Sequence, residues 1–495
     1  MSAPTSALHG LADRLLQALV HTPTAGQLKA IDAFERLLAT DRERATLILR
    51  GYAGTGKTTL VGALVKVLRK HVPLVLLAPT GRAAKVLGAH AQLAASTIHR
   101  RIYRVAGEEE GWSGAEVAMN KDKGALFIVD EASMIGSGAS SFGDRDLLHD
   151  LLAHIFSAEG CKLLLIGDPA QLPPVGSDHS PALDVKDLRA LGLTAGIIEL
   201  TEVVRQAEAS GILLNATELR ALLTGPGDRE PSLRATAKEI EPITSSPADK
   251  LLPHFTPFPD VIRVTGLDLQ DALETAYGRH GADEVCVICR SNKGAYQYNR
   301  QVRVRIYGYE EELCPGDRLM VVKNNYLWAG RNGKPELIAN GEPMTVKRVH
   351  RIEEHYGLRF ADLTTTWWNG TEERELDVKV ILDTLASEGP ALPGPRMKLL
   401  VQQVLASIIA PTKGARYKLL REDPFANALQ VKYAYAVTAH KAQGGQWHTV
   451  FVDQGYVTEE MIDREYVRWL YTAITRATDQ LHLLNFHGRF WGEED

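Results

Sequence analysis

Between Thr46 and Arg205, short apolar runs (TLILR, VPLVLLAP, ALFIVDE and CKLLLIGD) alternate with longer stretches of helical spacing. Runs that stay apolar throughout suit strands buried on both faces, and their alternation with helices predicts a parallel sheet covered on both sides. A sheet of that kind collects its chemistry at the carboxyl ends of its strands. The chain has 495 residues, of which 45% are hydrophobic and 24% charged, so it can bury several cores. At roughly 150 residues per domain it should hold about three.

A second α/β signature starts at DEVCVICRSN and resumes far downstream with HTVFVD and QLHLLNF. Between the two signatures lie seven of the chain's 23 prolines, within the 36 residues from Gly225 to Asp260, a composition that reads as a connection between domains. The segment from about Glu311 to Ala428 differs again: DRLMVVKNN, EPMTVKRV, GLRFADLTT and ELDVKVIL read as strands, with Asn369-Gly370 as a hairpin turn and Met397 to Ile409 as the one clear helix. The expected organisation is an α/β fold: a first parallel-sheet domain over 1–215 that contains an insertion at 103–124, a linker over 216–260, a second such domain over 261–310 and 429–495, and a β-rich insertion over 311–428.

Cys161, Cys286, Cys289 and Cys314 have no framework spacing, which suits a reducing, cytoplasmic compartment. Met1 to His21 lacks the apolar core of a signal peptide, and no run of 18 apolar residues occurs, so no membrane association is expected. Lys and Arg total 56 against 61 for Asp and Glu, a net charge of −5 that taken alone argues against a nucleic-acid partner.

Gly51-Tyr-Ala-Gly-Thr-Gly56-Lys57-Thr58 fits G-x-x-x-x-G-K-[ST] and stands between the strand TLILR and the helical TTLVGALVKVL. In that context the glycines let backbone amides wrap phosphates, Lys57 reaches the outer phosphates and the Thr58 hydroxyl holds Mg²⁺. ALFIVDE delivers Asp130 as a second Mg²⁺ group and Glu131 as the base that activates water. LLLIGDPAQ brings Gln171 to the same sheet edge, where it either touches the attacking water or is simply a loop amide. Arg205 and Arg476 follow apolar stretches in different halves of the chain; each is a candidate for neutralising a transferring phosphoryl group, or a surface arginine.

Taken in order, these segments resemble the superfamily 1 helicases, specifically the RecD/Dda-type group, superfamily 1B. The resemblance rests on Gln27, GYAGTGKTT, APTGRAAK (Ala78 to Lys85), STIH (Ser96 to His99), IVDEASM (Ile128 to Met134), IGDPAQLPPV (Ile166 to Val175), LTEVVRQ (Leu200 to Gln206), TAHKAQG (Thr438 to Gly444) and LYTAITRA (Leu470 to Ala477). It implies two RecA-like domains with ATP between them, Gln27 on the adenine, and Gly54, Thr55, Gly56, Lys57, Thr58, Thr59 and Gly445 around the nucleotide, with Arg205 and Arg476 on the γ-phosphate. It further implies an SH3-like fold in the β-rich insertion, a β-hairpin pin that splits duplex in the first domain, and 5′-to-3′ movement along single-stranded DNA by a monomer. The chain departs from many relatives at Gln446, where they carry a glutamate.

Ala78 to Arg104 holds Arg82, Lys85, Arg100, Arg101 and Arg104 with no acid, +5 over 27 residues, either a phosphate-neutralising track or a solvated basic face. The resemblance adds Thr80 and His99 as backbone contacts, with Thr438, His440 and Lys441 as counterparts in the second domain. Trp112, near the expected pin turn, either stacks on the first base pair or packs the hairpin down. Cys286 and Cys289 sit three apart in a strand, facing opposite ways, and are not read as a metal site. Asp362, Asp377 and Lys379 are read as alternating polar residues that face water on strands around a hairpin, rather than as a nuclease centre. The expected activity is ATP-driven translocation on single-stranded DNA and unwinding at single-strand/duplex junctions, with ATP and Mg²⁺ as cofactors. RNA unwinding, translocation without unwinding, or an ATP-gated scaffold are the alternatives.

Overall fold

The computed structural model describes residues 10–105, 115–137, 146–204, 210–223, 252–330, 336–369 and 372–493. The four apolar runs are strands: β1 (Ala45–Gly51), β2 (Leu74–Ala78), β6 (Leu126–Val129) and β7 (Lys162–Gly167). With β3 (Ala95–Thr97) and β8 (Thr194–Leu200) they form one parallel sheet in the order β3-β2-β6-β7-β1-β8. A separate two-stranded antiparallel ribbon, β4 (Tyr103–Val105) with β5 (Ala115–Val117), leaves this sheet where the sequence places the insertion.

Leu47, Leu49, Leu164 and Ile166 pack one core with the helices Ala25–Ala39 and Lys57–Leu68, while Ile48, Leu163 and Leu165 pack a second core on the opposite face. This period-two split of an all-apolar run is what a sheet buried on both faces requires.

The second parallel sheet, in the order β16-β10-β17-β18-β9, comprises β9 (Val261–Val264), β10 (Val285–Cys289), β16 (Ala436–Thr438), β17 (Trp447–Asp453) and β18 (Ala477–Leu484). Cys286 and Cys289 belong to two different cores on its two faces. The helix Gly211–Leu223 runs across residue 216, where the sequence places the start of a linker. Its Ile212, Ala216, Leu219 and Leu223 are buried in the core of this second sheet.

The β-rich segment closes into a five-stranded barrel: β11 (Arg318–Val321), β12 (Pro343–His355), β13 (Leu358–Trp368), β14 (Glu373–Ile381) and β15 (Leu429–Tyr433). Its last strand lies beyond residue 428, because β15 pairs parallel with β14 and antiparallel with β11 before the chain re-enters the second sheet. The turn expected at Asn369-Gly370 joins β13 to β14, with the Glu372 carbonyl accepting from the Asn369 amide. The single expected helix is two: Gly394–Ser407, followed by Lys413–Glu422. The second has a polar sequence and is fixed by Thr412, whose hydroxyl accepts from the Ala415 amide, and by Leu420 buried against Leu358 and Phe360 of the barrel.

The barrel seats on the first domain through a buried carboxyl. Glu342 accepts from the Trp367 indole N–H at 2.6 Å, and Arg100 lies 3.5 Å from its other oxygen. Gly81, which opens the helix Gly81–Ala91, is a glycine by necessity, since a Cβ there would come within 2.5 Å of Glu342 Cγ. Burial pushes the Glu342 carboxyl up to about 7, against the pull of Arg100 and of the indole hydrogen bond.

A folded-state pKa above the ordinary carboxylate value means the folded protein binds this proton more tightly than the unfolded chain does. The contribution is therefore full below about pH 4.5 and is lost as pH rises towards 7. Glu342→Gln should flatten that slope: it should match the wild type in melting temperature at pH 5 and exceed it at pH 8, as read by differential scanning calorimetry.

Candidate nucleotide and nucleic-acid site

β1, β6 and β7 are neighbours in the first sheet, so the groups at their carboxyl ends meet. The loop after β1 carries Gly54 at φ 75° and Gly56 at φ 77°, backbone that L side chains rarely adopt. The helix Lys57–Leu68 begins without a side-chain cap, leaving its first amides to an external anion. Lys57 Nζ donates to the carbonyls of Gly51 at 2.5 Å and Tyr52 at 2.7 Å, bonds that an incoming phosphate oxygen can replace. Thr58 is half-buried and Thr59 exposed in the helix's first turn, whereas Thr55 is turned inward, its hydroxyl donating to the Tyr52 carbonyl at 2.8 Å.

Gln27 is buried and does two jobs. Its side-chain oxygen accepts from the Thr24 amide at 3.1 Å, half of a capping box, and its Nε2 donates to the Thr55 carbonyl at 3.1 Å. It therefore lies against the loop's glycines: a Cβ at Gly56 would come 2.5 Å from its Nε2.

Asp130 and Glu131 follow β6, and Glu131 has φ 51°, a rare conformation for a non-glycine residue that turns its side chain away from the strand's line. Burial raises both carboxyls, Glu131 to about 7, while Lys57 pulls Asp130 down and Arg476 pulls Glu131 down. Arg476 comes from the second domain, buried, with Nη1 3.8 Å from Glu131 Oε1 and donating to the Gly445 carbonyl at 3.3 Å. Gln171 is 5% exposed, and its Oε1 has no partner among the described residues, an acceptor held ready in the cleft. Capless helix, exchangeable lysine bonds, paired carboxyls and an orphaned amide oxygen fit a Mg²⁺-bound polyphosphate. Arg205 and Trp112 lie outside the described residues.

The cleft is bridged by residues of LYTAITRA and TAHKAQG to which the sequence gives no individual role. The helix Arg464–Ile474 presents Tyr471, whose hydroxyl donates to Asp168 Oδ2 at 2.7 Å and accepts from the Ala53 amide at 2.9 Å. Its neighbour Thr472 accepts from the Leu172 amide at 2.9 Å, and Gln443 Nε2 donates to the Leu172 carbonyl at 2.8 Å. The available signal was only that Tyr471 and Thr472 stand five and four residues before Arg476.

Thr80 and Thr438 occupy equivalent places at the carboxyl ends of β2 and β16. Thr80 caps its helix, accepting from the Ala83 amide at 3.2 Å, whereas Thr438 makes no side-chain cap bond. The loop after Thr438 lies on the helix Gly81–Ala91, so close that a Cβ at Gly444 would meet Ala83 Cβ at 2.7 Å. Burial holds His99 down to about 4 and Lys441 to about 8 and lowers His440, so both histidines are neutral at neutral pH. Lys441 Nζ donates to Asn340 Oδ1 of the barrel segment at 2.6 Å.

The expected +5 track is largely spent inside the molecule. Arg82 donates to the Gln446 carbonyl at 2.7 Å and stacks 3.8 Å over Trp447. Arg100 binds the Leu337 carbonyl at 2.9 Å, the Asn369 carbonyl and Glu342, and Arg101 pairs with Asp122. Lys85 and Arg104 remain exposed, Lys85 over the partly exposed Trp368 at 5.4 Å. Trp367 is core, and Lys379, expected to face water, is instead buried because its ammonium pairs with Glu353 and Asp362 at 2.6 Å each across the strands.

The AAA domain family model matches residues 23–224, and the UvrD-like helicase C-terminal domain model matches residues 433–484. The chain is 27% identical over 442 residues to the ATP-dependent RecD2 DNA helicase of Deinococcus radiodurans, covering 88% of this chain and 46% of that protein. It is 25% identical over 381 residues to the ATP-dependent DNA helicase dda of Enterobacteria phage T4, covering 72% and 77%. The chain thus spans about half the length of the RecD2 protein. Among solved structures, the Pif1 helicase from Bacteroides in complex with ADP-AlF3 and ssDNA is matched at 15% identity and TM-score 0.45, covering 94% of this chain and 93% of that one.

Proposed function

We propose that this chain, which belongs to the RecD/Dda-type superfamily 1B helicases, hydrolyses ATP to move 5′ to 3′ along single-stranded DNA and to part the duplex at a junction. The observation that carries the reading is the approach of Arg476 to Glu131, 3.8 Å apart and donated by different sheets, over the phosphate loop. A cation that arrives only when two domains close is what phosphoryl transfer coupled to domain movement requires.

In this reading Lys57 exchanges its two carbonyl partners for the outer phosphates, and the loop amides from Gly54 to Thr59 hold the chain of phosphates. Gln27 borders the base, and Gly445 and Arg476 close from the second domain together with Arg205. Thr58 and Asp130 would hold Mg²⁺, which supplies charge neutralisation on the phosphate oxygens. Glu131 accepts the proton of a water that Gln171 orients; the water oxygen bonds to the γ-phosphorus as the bond to the bridging oxygen breaks. Lys57→Ala should remove nucleotide binding, and Glu131→Gln should lower kcat by about 10²-fold or more with ATP binding retained, both read in a single-stranded-DNA-stimulated ATPase assay. An ATPase indifferent to single-stranded DNA in the wild type would overturn the reading.

Thr80 and His99 on the first domain and Thr438, His440 and Lys441 on the second line two grips whose separation changes as the cleft opens and closes; Arg82, expected among them, is held on Gln446 and Trp447 and becomes available only as the cleft opens. The ribbon β4–β5 would serve as the pin, and the barrel as an SH3-like wall. The reading predicts unwinding of a duplex with a 5′ single-stranded tail and none with a 3′ tail. A reversed preference would overturn the direction, and stimulation by RNA in place of DNA would overturn the substrate.

With Arg100 and Arg101 paired inside the molecule, the basic segment should contribute little to the salt dependence of binding. Each phosphate contact adds about 0.7 to the slope of log K against log salt on single strands. Lys85→Ala should reduce that slope by about one contact's worth, whereas Arg101→Ala should leave it unchanged. Fluorescence anisotropy of a labelled oligonucleotide across a salt series measures both.

A further inference from the structure

We infer that Tyr471 is a positioning residue whose hydroxyl fixes the phosphate loop to the helix that carries Arg476, so that loop geometry and arginine placement change together.

The first half of the loop is held from across the cleft at each of three successive residues. Arg220, on the helix Gly211–Leu223, stacks 4.5 Å over the Tyr52 ring and donates to the Thr201 carbonyl at 3.0 Å; Tyr52 in turn donates to Glu199 at 2.7 Å. The Ala53 amide donates to Tyr471. A Cβ at Gly54 would lie 3.1 Å from Leu213 Cδ1, on the same helix as Arg220. Both clasping helices pack in the core of the second sheet, which also takes in Tyr52.

Tyr471 is 1% exposed, so its hydroxyl has no water to fall back on, and it meets one donor in Ala53 and one acceptor in Asp168. Asp168 is itself fixed at the end of β7 by accepting from the Ala170 amide at 2.9 Å. From Tyr471 the linkage continues to the arginine: the Thr475 hydroxyl donates to the Tyr471 carbonyl at 2.8 Å, Arg476 Nη2 donates to Thr475 Oγ1 at 3.1 Å, and Arg476 Nε donates to the Thr472 carbonyl at 3.1 Å. The guanidinium that reaches Glu131 is thus tied by short hydrogen bonds to the residue that holds the loop. When the second domain swings away, the Ala53 and Asp168 bonds break in the same movement that withdraws Arg476.

The inference rests on the ATPase reading only for its catalytic consequence, and the test separates the two. In the nucleotide-free full chain, Tyr471→Phe keeps the ring and removes the hydroxyl. Deuterium exchange of the peptide spanning residues 51–56 should then accelerate by about tenfold, with β13 of the barrel unchanged. The kcat of stimulated ATP hydrolysis should fall by about tenfold while KM for ATP stays within about threefold. Unchanged exchange in the loop would overturn the clasp, and faster exchange with wild-type kcat would overturn the positioning role. A wild type that hydrolyses no ATP would sink the proposed function, while the exchange comparison still decides the clasp. Should Tyr471→Phe not fold, Arg220→Gln loosens the same loop from the other helix, with the same two exchange outcomes.

Discussion

Two half-buried carboxyls stand side by side after β6, and the cost of partly removing them from water organises the groups around them. Removing an ion from water costs several kcal/mol even in a relaxed protein, and burial accordingly raises both Asp130 and Glu131. Relief comes from two cations of different origin. Lys57 follows β1 in the first domain, whereas Arg476 comes from the second domain, just before β18. The ionised form of Glu131 is thus favoured by a cation from each domain, so the contact between the domains bears on the electrostatics of the site as well as on its shape.

The same economy of charge explains the basic stretch after β2. In a chain of net charge −5, a run of five cations looks like a binding surface, but an arginine fork also serves for docking one domain on another. Arg100 reaches two carbonyls, a carboxyl and the Trp367 ring of the barrel, and Arg82 lies flat on Trp447 of the second sheet. These contacts hold three bodies around the line that joins Thr80 to Thr438. Cations used this way join domains, leaving Lys85 and Arg104 as the exposed members of the stretch.

Much of this was legible in the sequence, and the exceptions share a cause. Strands buried on two faces announce themselves as apolar runs, so both sheets could be read, as could the loop at Gly51 to Thr58 and the carboxyl pair after β6. Barrel closure could not, because β15 is a short run, LQVKY, whose pairing with β11 and β14 depends on residues about 50 to 115 positions away. The helix Lys413–Glu422 escaped notice because only Leu420 of its ten residues is buried and its start depends on a single threonine cap. Tyr471 reads as one more aromatic in an amphipathic helix. Its function lies in bonds to Ala53 and Asp168, 418 and 303 residues away, which no local period encodes.

The strength of the cleft is as informative as its position. Four hydrogen bonds cross between Ala53, Asp168 and Leu172 on one side and Tyr471, Thr472 and Gln443 on the other. At about 1 kcal/mol net for each, they sum to roughly 4 kcal/mol. They act together with apolar contacts, since Tyr52, Ala170 and Leu172 share one core with the second sheet. The apolar contacts grip without direction, whereas the hydrogen bonds have a fixed geometry and weaken steeply once donor and acceptor part or tilt. The bonds between Tyr471, Thr472 and Gln443 and the first domain therefore fix the angle at which the two domains meet, while the shared core supplies the adhesion.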